Sequence, residues 1–224
     1  MTAFRHLAAA GLLACLGGAF CGCENPSYDS GTGANSLLQA DFVEAFTDGG
    51  AQVTAVETDD GTRLALTQPL TASWITRPDT AYRSVLYYNK EAEGRAMPVS
   101  LVSVPTLVPH PLKAGEEMKA HPITFESIWQ SKDGKYINIA FYLKVADVED
   151  DAVRQTIGVI DEGRREHPDG TVTARLRFYH DQGGMPEYFS QKYYVSILCT
   201  GLECDSVEVS LSTYSGDRTW ITGS

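Results

Sequence analysis

The residues with the chemistry to form a site are few: five histidines, an acidic run, two late cysteines, and tyrosines in doublets beside two arginines. Of His6, His110, His121, His167 and His180, the three at 110, 121 and 167 each precede a proline and so sit in extended or turn backbone. None forms His-Glu-x-x-His or another metal-ligand spacing. His180 alone is in phase with a core-facing strand, which predicts a buried, hydrogen-bonded imidazole. The acidic run Asp147, Glu149, Asp150 and Asp151 lacks the turn glycine and the twelfth-position Glu of an EF-hand, and reads as a solvated loop. Asp29-Ser30-Gly31-Thr32 matches the aspartic-protease string. It follows Asn25-Pro26-Ser27-Tyr28 instead of an apolar strand, and no second copy provides the proton-sharing partner. Gly-x-Ser-x-Gly and phosphate-cradling glycine patterns are missing. The expectation is a chain with no catalytic residues, metal or cofactor.

Two constellations remain. Cys199 and Cys204 are spaced for a local disulfide in an oxidising compartment, across the tip of a last hairpin. Direct opposition would set core-phased Val195 against solvent-phased Glu208, so the bridge needs a bulge near Gly201, and two reduced thiols are the alternative. The other constellation is the set of aromatic doublets Tyr87-Tyr88, Phe141-Tyr142, Phe178-Tyr179 and Tyr193-Tyr194. Consecutive strand residues face opposite sides of a sheet, so one ring of each doublet points away from the core. With Ile137, Ile139 and Phe141 inward, the outward rings are Tyr142, Tyr179 and Tyr194. Arg175 and Arg177 share the face of Tyr179, and the five would form an amphipathic patch for a glycan or a partner protein. Cross-strand pairing that only stabilises the sheet is the alternative.

The elements that carry these residues begin with an address. Arg5 and His6 precede an apolar run from Leu7 to Phe20 that ends in Cys21-Gly22-Cys23-Glu24-Asn25. About 14 apolar residues are too few to cross a bilayer, which needs about 20. The segment reads as a secretion signal, residues 1–22, closing on a lipid-acceptor cysteine, Cys23. Leu12-Leu13-Ala14-Cys15 fits the acceptor consensus better, yet leaves only about eight apolar residues ahead of the cysteine, the short edge of an h-region of about 7–15. A chain so anchored by acyl groups of the palmitate kind belongs to the cell envelope, with the outer membrane as the expected location. Residues 23–36 are rich in Pro, Gly, Ser and Asn and read as a flexible tether.

Of 224 residues, 18 are Lys or Arg and 29 are Asp or Glu, a net charge of −11 that repels phosphate backbones and argues against nucleic-acid partners. Past the tether the pattern is strand throughout. Alternating or β-branched runs are punctuated by Asp-Gly turns at Asp48-Gly49, Asp60-Gly61, Asp133-Gly134 and Asp169-Gly170. The fold class is therefore all-β. Candidate strands at 37–46, 51–58, 62–67, 82–89 and 97–108 suit a small closed barrel over residues 37–112. A Pro-bounded polar stretch, 113–122, reads as a linker. Runs at 123–129, 136–145, 156–161, 171–180, 188–199 and 205–213, closed by Trp220-Ile221, then suit an antiparallel β-sandwich over 123–224.

In the order of these parts the chain resembles the NigD-like lipoproteins of Gram-negative envelopes. The resemblance rests on the anchor, the Asp59-Asp60-Gly61-Thr62 hairpin, Ile128-Trp129 with Lys135-Tyr136-Ile137-Asn138-Ile139, and the Tyr193-Tyr194-Val195-Ser196 and Asp205-Ser206-Val207 strands. It implies an OB-like barrel joined to a β-sandwich, and it brings no catalytic residues. It also implies a protective role of the bacteriocin-immunity kind, which no residue motif here supports independently. The expected function is a non-catalytic envelope lipoprotein serving as a binding or accessory module, with immunity-like protection second and a hydrolase last.

Overall fold

The computed structural model describes residues 38–222 except Glu93 and Asp151. The signal, the tether and both candidate lipid-acceptor cysteines, Cys15 and Cys23, lie outside the described residues. Alternating sequence becomes thirteen strands, and none of the described residues is helical. No helix among them is long and apolar enough to cross a membrane.

The first five strands are β1 (Leu38–Thr47), β2 (Val53–Thr58), β3 (Arg63–Leu70), β4 (Ala81–Lys90) and β5 (Arg95–Ser103). They close in the order β1-β2-β3-β5-β4, and β4 returns to β1 through a long antiparallel ladder from Leu38↔Asn89 to Phe46↔Ala81. Closure removes the exposed edges that a five-stranded sheet would otherwise present. Period-two alternation sets its core: Val43 and Ala45 of β1, Val53 and Val56 of β2, Leu64 of β3, and Leu86 and Tyr88 of β4.

The remaining strands are β6 (Thr106–Leu107), β7 (Thr124–Gln130), β8 (Tyr136–Val145), β9 (Thr156–Glu166), β10 (Val172–Asp181), β11 (Phe189–Leu198), β12 (Ser206–Leu211) and β13 (Arg218–Ile221). They make two four-stranded sheets, β6-β11-β8-β7 and β13-β12-β10-β9. Ile137, Ile139 and Phe141 of one sheet meet Val159, Leu176, Phe178 and Val209 of the other in a single core. Phe141 stands edge-on to Phe178 at 5.3 Å.

Three expectations change. The run 97–108 is two strands, because Val104 still bonds Arg83 of the barrel while Pro105 already accepts Ser196 N–H. Thr106–Leu107 therefore pairs with β11, and the barrel strands end at Ser103, short of residue 112. The sandwich is mixed, not antiparallel, since β10 pairs with β12 and β11 with β6 in parallel. Finally, β11 and β12 form no hairpin; they lie in different sheets and residues 199–205 cross between them. The register conflict between Val195 and Glu208 disappears with the hairpin, because those residues never face each other across a ladder.

Candidate functional site

The outward face of β8 is polar or small where it should be solvated, yet Tyr136, Asn138 and Ala140 are as buried as their core-facing neighbours. The barrel covers them. On β1 the residues that alternate with its core, Phe42 and Glu44, point toward the sandwich, and Arg83 of β4 stands opposite Glu44.

Arg83 is the centre of this contact. Its guanidinium holds Asp59 through two bonds, Nη1 to Oδ1 at 2.6 Å and Nη2 to Oδ2 at 2.7 Å. Nη2 also donates to Asn138 Oδ1 at 2.8 Å, and Nε to Ser196 Oγ at 2.9 Å. Asn138 Nδ2 donates to Asp59 Oδ2, and Ser196 Oγ to Asn138 Oδ1, both at 2.7 Å. The Arg83 plane lies over the Tyr136 ring at 4.2 Å. Its side chain is 3% exposed and that of Asp59 18%. A guanidinium suits this position because its planar fork meets a carboxylate through two bonds and still has donors left for Asn138 and Ser196. A second ion pair flanks it: Glu44 accepts from Lys135 Nζ at 2.6 Å and from Tyr136 Oη at 2.8 Å. Burial, more than the Glu44 bond, raises the Tyr136 hydroxyl pKa.

Beside this network Phe42 meets Trp129 edge-on at 5.1 Å and Tyr194 at 5.5 Å. These rings floor a cleft of about 420 Å³ whose lining also includes Asp41, Asp60, Glu126 and Lys192. A second cleft of about 450 Å³ at the barrel mouth shares Ala40, Asp41, Thr58 and Asp60 with the first. Asp41 is in the inward phase of β1, where its Oδ2 accepts the Tyr88 hydroxyl at 2.9 Å. Burial raises the Tyr88 pKa, with the Asp41 bond adding to it, so Tyr88 stays a donor. Asp60 Oδ1 accepts the Thr58 hydroxyl and Thr62 N–H. Those bonds, the Thr58 one largest, hold the Asp60 carboxyl at about 2, ionised throughout the neutral range. Lys192 binds Glu126 at 2.6 Å and lies over Tyr194 at 5.0 Å and Tyr142 at 6.0 Å. The Glu126 bond, followed by one to Tyr194, raises the Lys192 pKa.

The expected five-residue patch is divided by this architecture. Tyr142 of β8 and Tyr194 of β11 share the sheet face that meets the barrel, with Tyr194 in the cleft and Tyr142 beside it. Tyr179, Arg175 and Arg177 belong to β10, in the other sheet. Both arginines there are engaged by acids: Arg175 by Glu162 and Glu208, Arg177 by Glu162. Each sheet turned its outward rings as alternation required; strand order then put them in different layers. The cleft residues that sequence reasoning missed are Phe42, Asp41, Asp60, Trp129, Glu126 and Lys192. A signal existed in β1, where a carboxylate stands at the inward position of Asp41 and an aromatic at the outward position of Phe42.

His180 is buried, with Nδ1 3.0 Å from His121 O and Nε2 2.9 Å from Gln155 Oε1. Desolvation holds its pKa below the usual imidazole value. Among the described residues no group of three His, Cys, Asp or Glu side chains is placed to hold a metal ion.

Cys199 and Cys204 stand as separate thiols, not as the expected bridge, both packed at the edge of the sandwich core. Burial, reinforced by the neighbouring Cys204, pushes the Cys199 thiol up to about 12. Since the thiolate is the nucleophile, Cys199 is expected to resist iodoacetamide at pH 8 in the native protein and to react fully in urea. Mass spectrometry of the alkylated peptide checks this. Fast native labelling, or none in urea, contradicts the buried-thiol assignment.

The chain matches no protein-family model and no curated protein. Solved structures do match. A NigD-like immunity protein from Bacteroides caccae superposes with a TM-score of 0.62 at 20% identity, covering 83% of this chain and 91% of that one. The chain has the NigD-like fold. A protein of unknown function from Bacteroides vulgatus gives 0.60 at 15% identity over 83% and 93% of the two chains. A candidate lipoprotein from Bacteroides fragilis gives 0.59 at 11% identity over 82% and 96%. The shared NigD-like architecture thus includes both barrel and sandwich, and so both sides of the cleft between them.

Proposed function

We propose that this chain is a lipid-anchored protein of the cell envelope, placed at the outer membrane, that works as a non-catalytic binding module. The ligand site is the cleft between barrel and sandwich. The observation that carries this reading is that cleft itself, a concavity with aromatic rings and ionised carboxylates in its lining, set beside a fully hydrogen-bonded contact that holds its two sides in place. Concave, partly apolar sites with a few fixed polar groups are the usual form of small-ligand sites. The anchor rests on the Leu7–Phe20 run ending at Cys23. The fold shared with a candidate lipoprotein supports it.

Cells expressing the chain and fed labelled palmitate should yield a labelled protein in the outer-membrane fraction of a density gradient. Cys23→Ser should abolish the label and Cys15→Ser should retain it. An unlabelled, freely soluble wild-type product contradicts the anchor. A protective role is the second reading, favoured by the immunity function named for the B. caccae structure. It predicts that expression of the chain raises survival under bacteriocin challenge, and equal survival with and without the chain removes it.

A further inference from the structure

We infer that the junction cleft takes an uncharged oligosaccharide, a reading that rests on the cleft being the ligand site proposed above. A sugar ring has an apolar C–H face and a rim of hydroxyl donors. It is recognised where an aromatic surface and fixed acceptors occur within one concavity. Here Phe42, Trp129 and Tyr194 supply the surface, held by their perpendicular contacts.

The acceptors are equally fixed. Asp41 is held through Oδ2 by the buried Tyr88, and Asp60 through Oδ1 by Thr58 and Thr62. Both carboxylates line the two clefts, and each has acceptor capacity beyond these bonds for a ligand hydroxyl. Asp59 and Glu126 are paired with Arg83 and Lys192, whereas Asp41 and Asp60 form no ion pair among the described residues: their hydrogen bonds come from neutral donors, with Lys132 acting on Asp60 only through space and Lys90 at the second cleft. The resulting local negative charge opposes uronates, sulfated sugars and phosphates. Size disfavours a protein ligand, because a specific protein interface needs about 1,200–2,000 Å² of contact, while this cleft of about 420 Å³ is in the range of small-ligand sites.

The test uses the full chain in detergent on an array of neutral gluco-, manno-, xylo- and N-acetylglucosamine oligomers, with uronate oligomers and an arginine-rich peptide beside them. Saturable binding to a neutral oligomer is expected. Asp41→Asn and Asp60→Asn, which keep Oδ for the internal donors and so retain the fold, should each weaken it at least about tenfold. Tyr179→Ala, in the other sheet, should leave it unchanged, and unaltered melting temperatures verify folding. Binding to no neutral oligomer, or binding indifferent to both Asn variants, overturns the inference. Capture of the arginine-rich peptide alone, lost in Asp41→Asn and Asp60→Asn but kept in Asp147→Asn/Asp150→Asn, overturns the sugar and keeps the cleft as ligand site. Binding that no cleft substitution alters overturns both.

Discussion

Arg83→Ala is expected to destabilise the protein by about 3–5 kcal/mol, the usual consequence of removing one partner of a buried ion pair. The guanidinium is the donor for Asp59, Asn138 and Ser196 together. Without it Asp59 keeps a charge in a largely dry contact, and Asn138 and Ser196, both fully buried, each lose a bond. Leaving such groups unsatisfied costs more than the bonds themselves contribute. Asp59→Ala should cost a similar amount, and the double variant clearly less than the two single losses added, because both act on one network. Arg83→Lys should not restore wild-type stability, since an ammonium cannot meet a carboxylate through a planar fork. Urea unfolding of the four variants measures all of this. A loss under about 1 kcal/mol for Arg83→Ala would show that the contact is not held by this residue.

Gly183→Ala is expected to cost more than about 3 kcal/mol, for two reasons that add. The backbone there has φ +57°, a left-handed conformation that costs about 1–2 kcal/mol for a residue with a Cβ. That Cβ would also sit 1.9 Å from the carbonyl oxygen of Arg154, far inside contact distance. Arg154-Gln155 leads into β9, and Gln155 bonds both His180 and Lys144 O, so the displaced segment is tied to both sheets. Gly184 is the control. It too has positive φ, at +76°, but an added Cβ meets nothing within 4 Å. Gly184→Ala should lose only the conformational cost, about 1–2 kcal/mol. Equal losses in the two variants, read by thermal or urea unfolding, would refute the close approach.

Much of the fold was legible because its signal is local. Alternation in Tyr136–Val145 set Ile137, Ile139 and Phe141 inward and Tyr142 outward, and the Asp-Gly pairs marked turns at Gly61, Gly134 and Gly170, each with positive φ. His180 sat in the core as its phase required. Phase also separated Tyr193, stacked on Phe141, from Tyr194, which faces the barrel. The Asp-Gly hairpins paired β2 with β3, β7 with β8 and β9 with β10 as expected. What failed were the inferences about the segments at 97–108 and 199–205, where the chain passes from one sheet to another. Residues 97–108 read as one run because Pro105 sits among apolar and β-branched neighbours, although the backbone leaves one sheet there and enters another. The cysteines read as a hairpin tip because they flank a glycine turn, although that turn crosses between layers.

Residue order alone implies an all-β chain, its turns, and which side chains leave each strand on the same face, because these follow from geometry repeating every two residues. That the outward rings divide between two layers, and that the outward polar residues of β8 are covered, emerge from the packed fold. The same packing brings Asp41, Asp60, Phe42, Trp129 and Tyr194 into one cleft. Pairing order and the packing of barrel on sandwich depend on contacts between residues as far apart as Arg83 and Ser196, and no local periodicity encodes them.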